Sequence, residues 1–195
     1  MLHIVDDEAV VRDALSWLAS SRGIPAVVYE SGDRFLDFVE TGAFDDAGDC
    51  VLLDVRMPDI NGIAVFDQLA ARGLTERLPV IFLTGHGDVP MAVDTLKRGA
   101  FDFFEKPFND NQLMDRVQEG LARSREASSK AEIHARLATL SQREREVLDL
   151  ILAGKMNKVV ADELGISMRT VEVHRAHIFD KMQVKTAVEL AGLLK

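Results

Sequence analysis

The sequence offers almost nothing for covalent reinforcement or membrane anchorage. One cysteine, Cys50, stands among 195 residues, so no internal disulfide can form and the fold rests on packing. Such a chain suits a reducing cytoplasm. Cys50 directly precedes the apolar run Val51-Leu52-Leu53 and reads as a small core filler. No run approaches the roughly 18 apolar residues of a membrane helix, so a spanning segment is excluded. The start, Met1-Leu2-His3-Ile4-Val5, passes straight into Asp6-Asp7-Glu8 and lacks the basic-then-apolar pattern of a secretory signal. Internal repeats and low-complexity segments are also missing, which leaves one large domain or two small ones to account for the length.

Apolar residues make up 47% of the chain, ordinary for a folded globular protein. The net charge of −9 argues against nucleic acid at first sight, but it is unevenly distributed. Residues 1–120 hold 22 acidic and 10 basic side chains, a net of −12, whereas residues 121–195 hold 13 basic and 10 acidic, a net of +3. The asymmetry points to two modules with different partners.

The first 120 residues alternate short β-rich runs with amphipathic stretches. Residues 2–5, 26–29, 51–53, 80–83 and 100–104 read as strands, and residues 9–21, 32–41, 62–73, 89–98 and 109–123 as helices. Strands as apolar as Val51-Leu52-Leu53 and Val80-Ile81-Phe82-Leu83 belong in a parallel sheet covered on both faces. A βα unit repeated five times gives a doubly wound α/β domain. Residues 121–138 contain neither Gly nor Pro and few large apolar side chains, and read as a solvated helical linker continuing the last helix. Beyond Leu140 every signal is helical: a Ser141/Glu144 capping box, Gly154 as a stop, a short helix 157–164 ended by Gly165, a third capped by Ser167, and a fourth over 186–194.

In a sheet of this kind ligands sit where the strands end, at the topological switch point. Asp6 and Asp7 close the first strand and Asp54 the third, which places three carboxylates at one crevice. Crowded like charges repel unless a cation neutralises them, and oxygen ligands on a wet rim suit Mg²⁺. Thr84 closes the fourth strand and Lys106 follows the fifth, so a hydroxyl and an ammonium face the same crevice. A carboxylate nucleophile with a metal, a hydroxyl and a lysine meets the needs of phosphoryl transfer.

In order and spacing, Asp6-Asp7-Glu8, Leu53-Asp54-Val55-Arg56-Met57-Pro58-Asp59-Ile60-Asn61-Gly62, Leu83-Thr84-Gly85-His86 and Phe104-Glu105-Lys106-Pro107-Phe108 resemble the CheY-like receiver family over about residues 1–122. The resemblance implies a flavodoxin-like (βα)5 fold with Asp54 as phosphoacceptor. It further implies Asp7, Asp54 and the Arg56 carbonyl as direct Mg²⁺ ligands, Asp6 as a ligand through water, and Thr84 and Lys106 on the phosphoryl oxygens. Lys106-Pro107 is expected to be cis. Phe103 takes the aromatic switch position, where it offers a ring but no hydroxyl.

Residues 157–164, the glycine turn and residues 167–181 form a helix-turn-helix pattern. At about 100° per residue, Val171, Arg175, Ile178 and Met182 share the stripe that must pack inward, with His174 at its edge. Arg169, Glu172, Val173 and Ala176 lie opposite, free to enter a major groove, while Arg169, His174, His177, Lys181 and Lys185 border that face as candidates for phosphate contact. Leu140-Ser141-Gln142-Arg143-Glu144-Arg145-Glu146-Val147, Asn157-Lys158-Val159-Val160-Ala161, Thr170-Val171-Glu172-Val173-His174 and Lys181-Met182 resemble the LuxR-type output domain over about residues 137–195. Thr170 joins the candidate DNA contacts on that resemblance. Glu172 departs from the Lys that some members carry; it can accept from cytosine N4 but repels phosphate.

Joined, the two halves resemble the NarL/FixJ group of response regulators: receiver 1–122, linker 123–138, DNA-binding domain 139–195. This implies a transcriptional regulator rather than an enzyme, with a sensor histidine kinase, double-stranded operator DNA and RNA polymerase as partners, a homodimer once phosphorylated, and no membrane. A haloacid-dehalogenase-like phosphatase would need a carboxylate two residues after the nucleophile, where this chain has Arg56. An output that binds RNA or protein is the remaining alternative.

Overall fold

The computed structural model describes residues 1–85 and 89–194. Contacts divide the chain into two compact units, residues 1–128 and 129–195. Among the described residues the first unit holds β1 (Leu2–Val5), α1 (Ala9–Ser21), β2 (Ala26–Tyr29), α2 (Gly32–Thr41), β3 (Cys50–Asp54), α3 (Gly62–Ala71), β4 (Val80–Thr84), α4 (Val89–Lys97), β5 (Asp102–Glu105) and most of α5 (Asp110–Ala138). The strands form one parallel sheet in the order β2-β1-β3-β4-β5. That order reverses direction between β1 and β3, which opens a crevice at their carboxyl ends.

Period-two alternation splits the sheet's side chains between two cores. Val51, Leu53, Val80 and Phe82 face Phe35, Leu36 and Phe66 of α2 and α3. Cys50, Leu52, Ile81 and Leu83 face Leu15 of α1 and Leu113 and Val117 of α5. Burial pushes the Cys50 thiol up to about 12, which makes it inert packing.

The amino end of the sheet holds a buried polar network. The Asp49 carboxylate is fully buried. It accepts from His3 Nε2 at 3.0 Å and the Asp45 amide at 2.8 Å, and pairs with Arg77 at 3.2 Å. Because a carboxylate only accepts, His3 Nε2 is the donor in that pair. Ser124 of α5 accepts from the Asp49 amide at 2.8 Å and from Arg77 Nη1 at 2.7 Å, which ties the helix to this end of the sheet. Burial, with the charge of Asp49, holds the Tyr29 hydroxyl up to about 12.

The second unit is built from the end of α5 with α6 (Gln142–Leu152), α7 (Asn157–Leu164), α8 (Met168–Met182) and α9 (Ala187–Leu193). Ser141 and Glu144 form the capping box of α6, and Ser167 and Thr186 cap α8 and α9. Its core gathers Leu140, Val147, Leu148, Val160, Val171, Ile178, Met182 and Leu190. No helix among the described residues is long and apolar enough to cross a membrane.

Candidate functional site

In the first unit β1 and β3 deliver Asp6 and Asp54 to the crevice, and the segment after β5 delivers Lys106. Lys106 Nζ donates to Asp54 Oδ1 at 2.7 Å and to Asp6 Oδ2 at 2.8 Å, so one ammonium bridges two buried carboxylates. Their remaining oxygens accept backbone amides, Arg56 N at 2.7 Å on Asp54 Oδ2 and Glu8 N at 2.9 Å on Asp6 Oδ1. Burial raises Asp54 above the ordinary carboxylate range, against the hydrogen bond and charge of Lys106, and Asp6 adds to the rise. Burial works against the Lys106 ammonium, but its bonds to Asp54 and Asp6 outweigh that and raise it.

Asp7 is placed differently from its neighbour. It is exposed, and no described residue hydrogen-bonds or ion-pairs with it. Among the described residues no three His, Cys, Asp or Glu side chains gather to hold a metal. The expected crevice of three carboxylates is therefore two joined by lysine, with the exposed Asp7 next along the chain. The Asp7 and Asp54 carboxylates and the Arg56 carbonyl are hard oxygen donors, the chemistry that Mg²⁺ takes.

Thr84 is buried at the end of β4, and its carbonyl accepts from the Lys106 amide at 2.7 Å. Phe103 is partly buried, pairs with Phe82 across β4 and β5, and lies 6.3 Å from it between ring centroids. Lys106-Pro107 is cis. His86, part of the motif after β4, lies outside the described residues. Gly62 has a role that motif reading passed over. A Cβ there would stand 2.2 Å from the Asp54 carbonyl oxygen, so the turn before α3 closes over β3 only because position 62 has no side chain.

In the second unit, α8 buries Val171, Ile178 and Met182. Arg175 is partly buried, its guanidinium 5.3 Å from the Phe179 ring centre. Arg169, Glu172, Val173, Ala176 and His177 are exposed along the other face, with Val173 at 46%. Thr170 is half-buried, its hydroxyl 2.8 Å from that of Ser167. His174 is half-buried with Nδ1 directed inward and unpartnered among the described residues. Lys181 departs from the expectation of a free phosphate contact. Its Nζ donates to Glu144 Oε2 at 2.7 Å and to the Thr139 carbonyl at 3.1 Å, because the last turn of α8 lies over the start of α6.

A carboxylate crevice bridged by lysine in one unit and a helix-turn-helix in the other are the parts of a receiver joined to a DNA-binding output domain. Residues 2–118 match the response regulator receiver domain, and residues 138–194 match the bacterial regulatory proteins of the LuxR family. The chain belongs to the response regulators with a LuxR-type output domain. It is 44% identical to the transcriptional regulatory protein FixJ of Azorhizobium caulinodans over 98% of this chain and 90% of that one. It is 47% identical to the C4-dicarboxylate transport transcriptional regulatory protein DctR of Rhodobacter capsulatus over 98% of each. Among solved structures it resembles the response regulator StyR, with TM-score 0.70 and 35% identity over 99% and 96% of the two chains. Full-length FixJ from B. japonicum gives TM-score 0.58 and 39% identity over 98% and 94%. The chain is thus a DNA-binding transcriptional regulator of a two-component system, which sets aside the phosphatase reading and implies a kinase partner.

Proposed function

We propose that Asp54 is the phosphoacceptor through which a sensor histidine kinase controls operator binding, with residues 1–122 as receiver, 123–138 as linker and 139–195 as output. The observation that carries this reading is Lys106 bridging Asp54 and Asp6 at the switch point of the sheet. Desolvation makes the Asp54 carboxylate more basic and so a stronger nucleophile. Its oxygen attacks phosphorus, the donor's bond to phosphorus breaks, and an acyl phosphate results. Mg²⁺, held by Asp7, Asp54 and the Arg56 carbonyl, with Asp6 through water, would neutralise charge on the transferring group. Lys106 then transfers a hydrogen bond from carboxylate to phosphoryl oxygen, and the Thr84 hydroxyl takes another. Small acyl phosphates serve as donors by the same route, and hydrolysis of the acyl phosphate resets the protein.

The kinase approaches over an apolar groove of about 490 Å³ beside Lys106, lined by Val10, Ala14, Trp17, Leu18, Pro107 and Phe108. Trp17 is 73% exposed there, a large apolar surface that an incoming partner would cover. Phosphorylation shifts a pre-existing equilibrium in which Thr84 moves toward the phosphate and Phe103 turns inward. That shift reshapes α4 and β5, where Val93 and Lys97 are exposed, and favours a homodimer. Two α8 helices then read two operator half-sites, Arg169 and His177 on phosphates and Glu172, Val173 and Ala176 facing bases, with Thr170 and His174 bordering them. RNA polymerase recruitment follows in the cytoplasm, where the DNA lies. The test is a gel shift on promoter DNA with and without a small phosphodonor. Binding should tighten with donor, and equal binding in both states would refute phosphorylation control.

A further inference from the structure

Glu144 is a buried carboxylate, 4% exposed, at the first turn of α6. As the capping-box acid it accepts from the Ser141 amide at 2.8 Å, a task that a neutral glutamine performs equally well. Its charge is engaged elsewhere. Oε2 also accepts from Lys181 Nζ at 2.7 Å, and Oε1 stands 3.7 Å from His177 Nδ1. The hydrogen bonds from Lys181 and Ser141 hold its pKa at about 2, so it is ionised under any condition in which DNA binding is measured.

This matters because α8 carries few cations. Arg169 is exposed and Arg175 is folded onto Phe179, while Lys181 is held by Glu144. Sequence-independent affinity for DNA depends on the number of cations that displace counterions from phosphates. A cation already held by an internal carboxylate is withdrawn from that count. The Lys181 side chain is still 35% exposed, so it can reach solvent once released.

We propose that Glu144 sets the specificity of the DNA-binding domain by holding Lys181 away from DNA phosphates, which keeps affinity for random sequence low. This rests on α8 being the helix that contacts DNA. The test measures binding of the full chain to a short random-sequence duplex by fluorescence anisotropy between about 50 and about 200 mM salt. Glu144→Gln keeps the cap and frees the lysine, so its plot of log affinity against log salt should steepen by about 0.9. Lys181→Met alone should leave the slope unchanged, and the double variant should return to the wild-type slope. An unchanged or shallower slope for a natively folded Glu144→Gln would overturn the proposal. So would a loss of about 0.9 in Lys181→Met, since Lys181 would then already sit on phosphate; this arm decides alone if Glu144→Gln does not fold. If wild type binds no DNA and no variant yields a slope, the reading of α8 fails and the proposal falls with it.

Discussion

Lys106 Nζ lies 2.7 Å from Oδ1 of Asp54, across 52 positions of sequence, so the acidic end of β3 receives its countercharge from the far side of β4. The same ammonium reaches Asp6, and this lets two carboxylates remain buried side by side. A phosphoryl group on Asp54 offers Lys106 oxygens of the same charge type, so the exchange needs little rearrangement of the crevice.

The close approach at Gly62 should make that position intolerant. Gly62→Ala would push a methyl group onto the backbone that carries Asp54, and displacement of the β3 end is expected. Labelling by a small acyl phosphate should fall at least tenfold even where the variant folds. Labelling at the wild-type rate would show that the turn accommodates the methyl group.

Removing metal separates the two aspartates that follow β1. The Asp6 oxygens are occupied by Lys106 and the Glu8 amide, while Asp7 is exposed and unpartnered among the described residues. Chelator should abolish phosphorylation. Asp7→Ala should lose Mg²⁺ affinity more completely than Asp6→Asn, as followed by calorimetric titration; the reverse order would assign the direct ligand to Asp6.

Asp49 tests a different part of the fold. Replacing it with Ala leaves His3 and Arg77 without their shared acceptor in a buried setting, and removing one partner of such a pair costs roughly 3–5 kcal/mol. Urea denaturation of the full chain should show that loss in the transition of the receiver. A cost below about 1 kcal/mol would mean that solvent or another group replaces the carboxylate.

Along α8, base readout and backbone contact should separate. Val173 is exposed near the middle of the outer face, whereas Arg169 stands in the first turn. Val173→Ala should change relative affinities among operator variants, each mismatch being worth roughly 1–3 kcal/mol. Arg169→Ala should weaken all sequences alike. The opposite pattern would mean that the helix lies in the groove in another orientation.

Much of the architecture was legible because its causes are local. Strand ends with acids, capping serines and helix-stopping glycines lie within a few residues of what they control, and β1, β2, α1, α2 and α7 begin and end where patterning puts them. β5 begins at Asp102 rather than at residue 100, since Asp102 is the first residue in register with β4, opposite Ile81. Apolar patterning cannot see that register. The expected linker region forms part of α5, which runs unbroken to Ala138. Asp54, Thr84 and Lys106 were readable from strand-end motifs. The Glu144 to Lys181 pair and the network of His3, Asp49, Arg77 and Ser124 were not, because they join groups 28 to 75 positions apart whose meeting only the packing decides.

If phosphorylation of Asp54 governs DNA binding, labelling and operator affinity must change together in one sample. Wild type and Asp54→Asn are incubated with Mg²⁺ and a small acyl phosphate, then assayed for acid-stable and acid-labile phosphate and for operator affinity on the same sample. Wild type should gain one acid-labile phosphate and bind its operator at least several-fold more tightly, while Asp54→Asn gains none and its affinity does not change. Equal labelling of the variant, or donor-induced tightening without Asp54, would contradict the account.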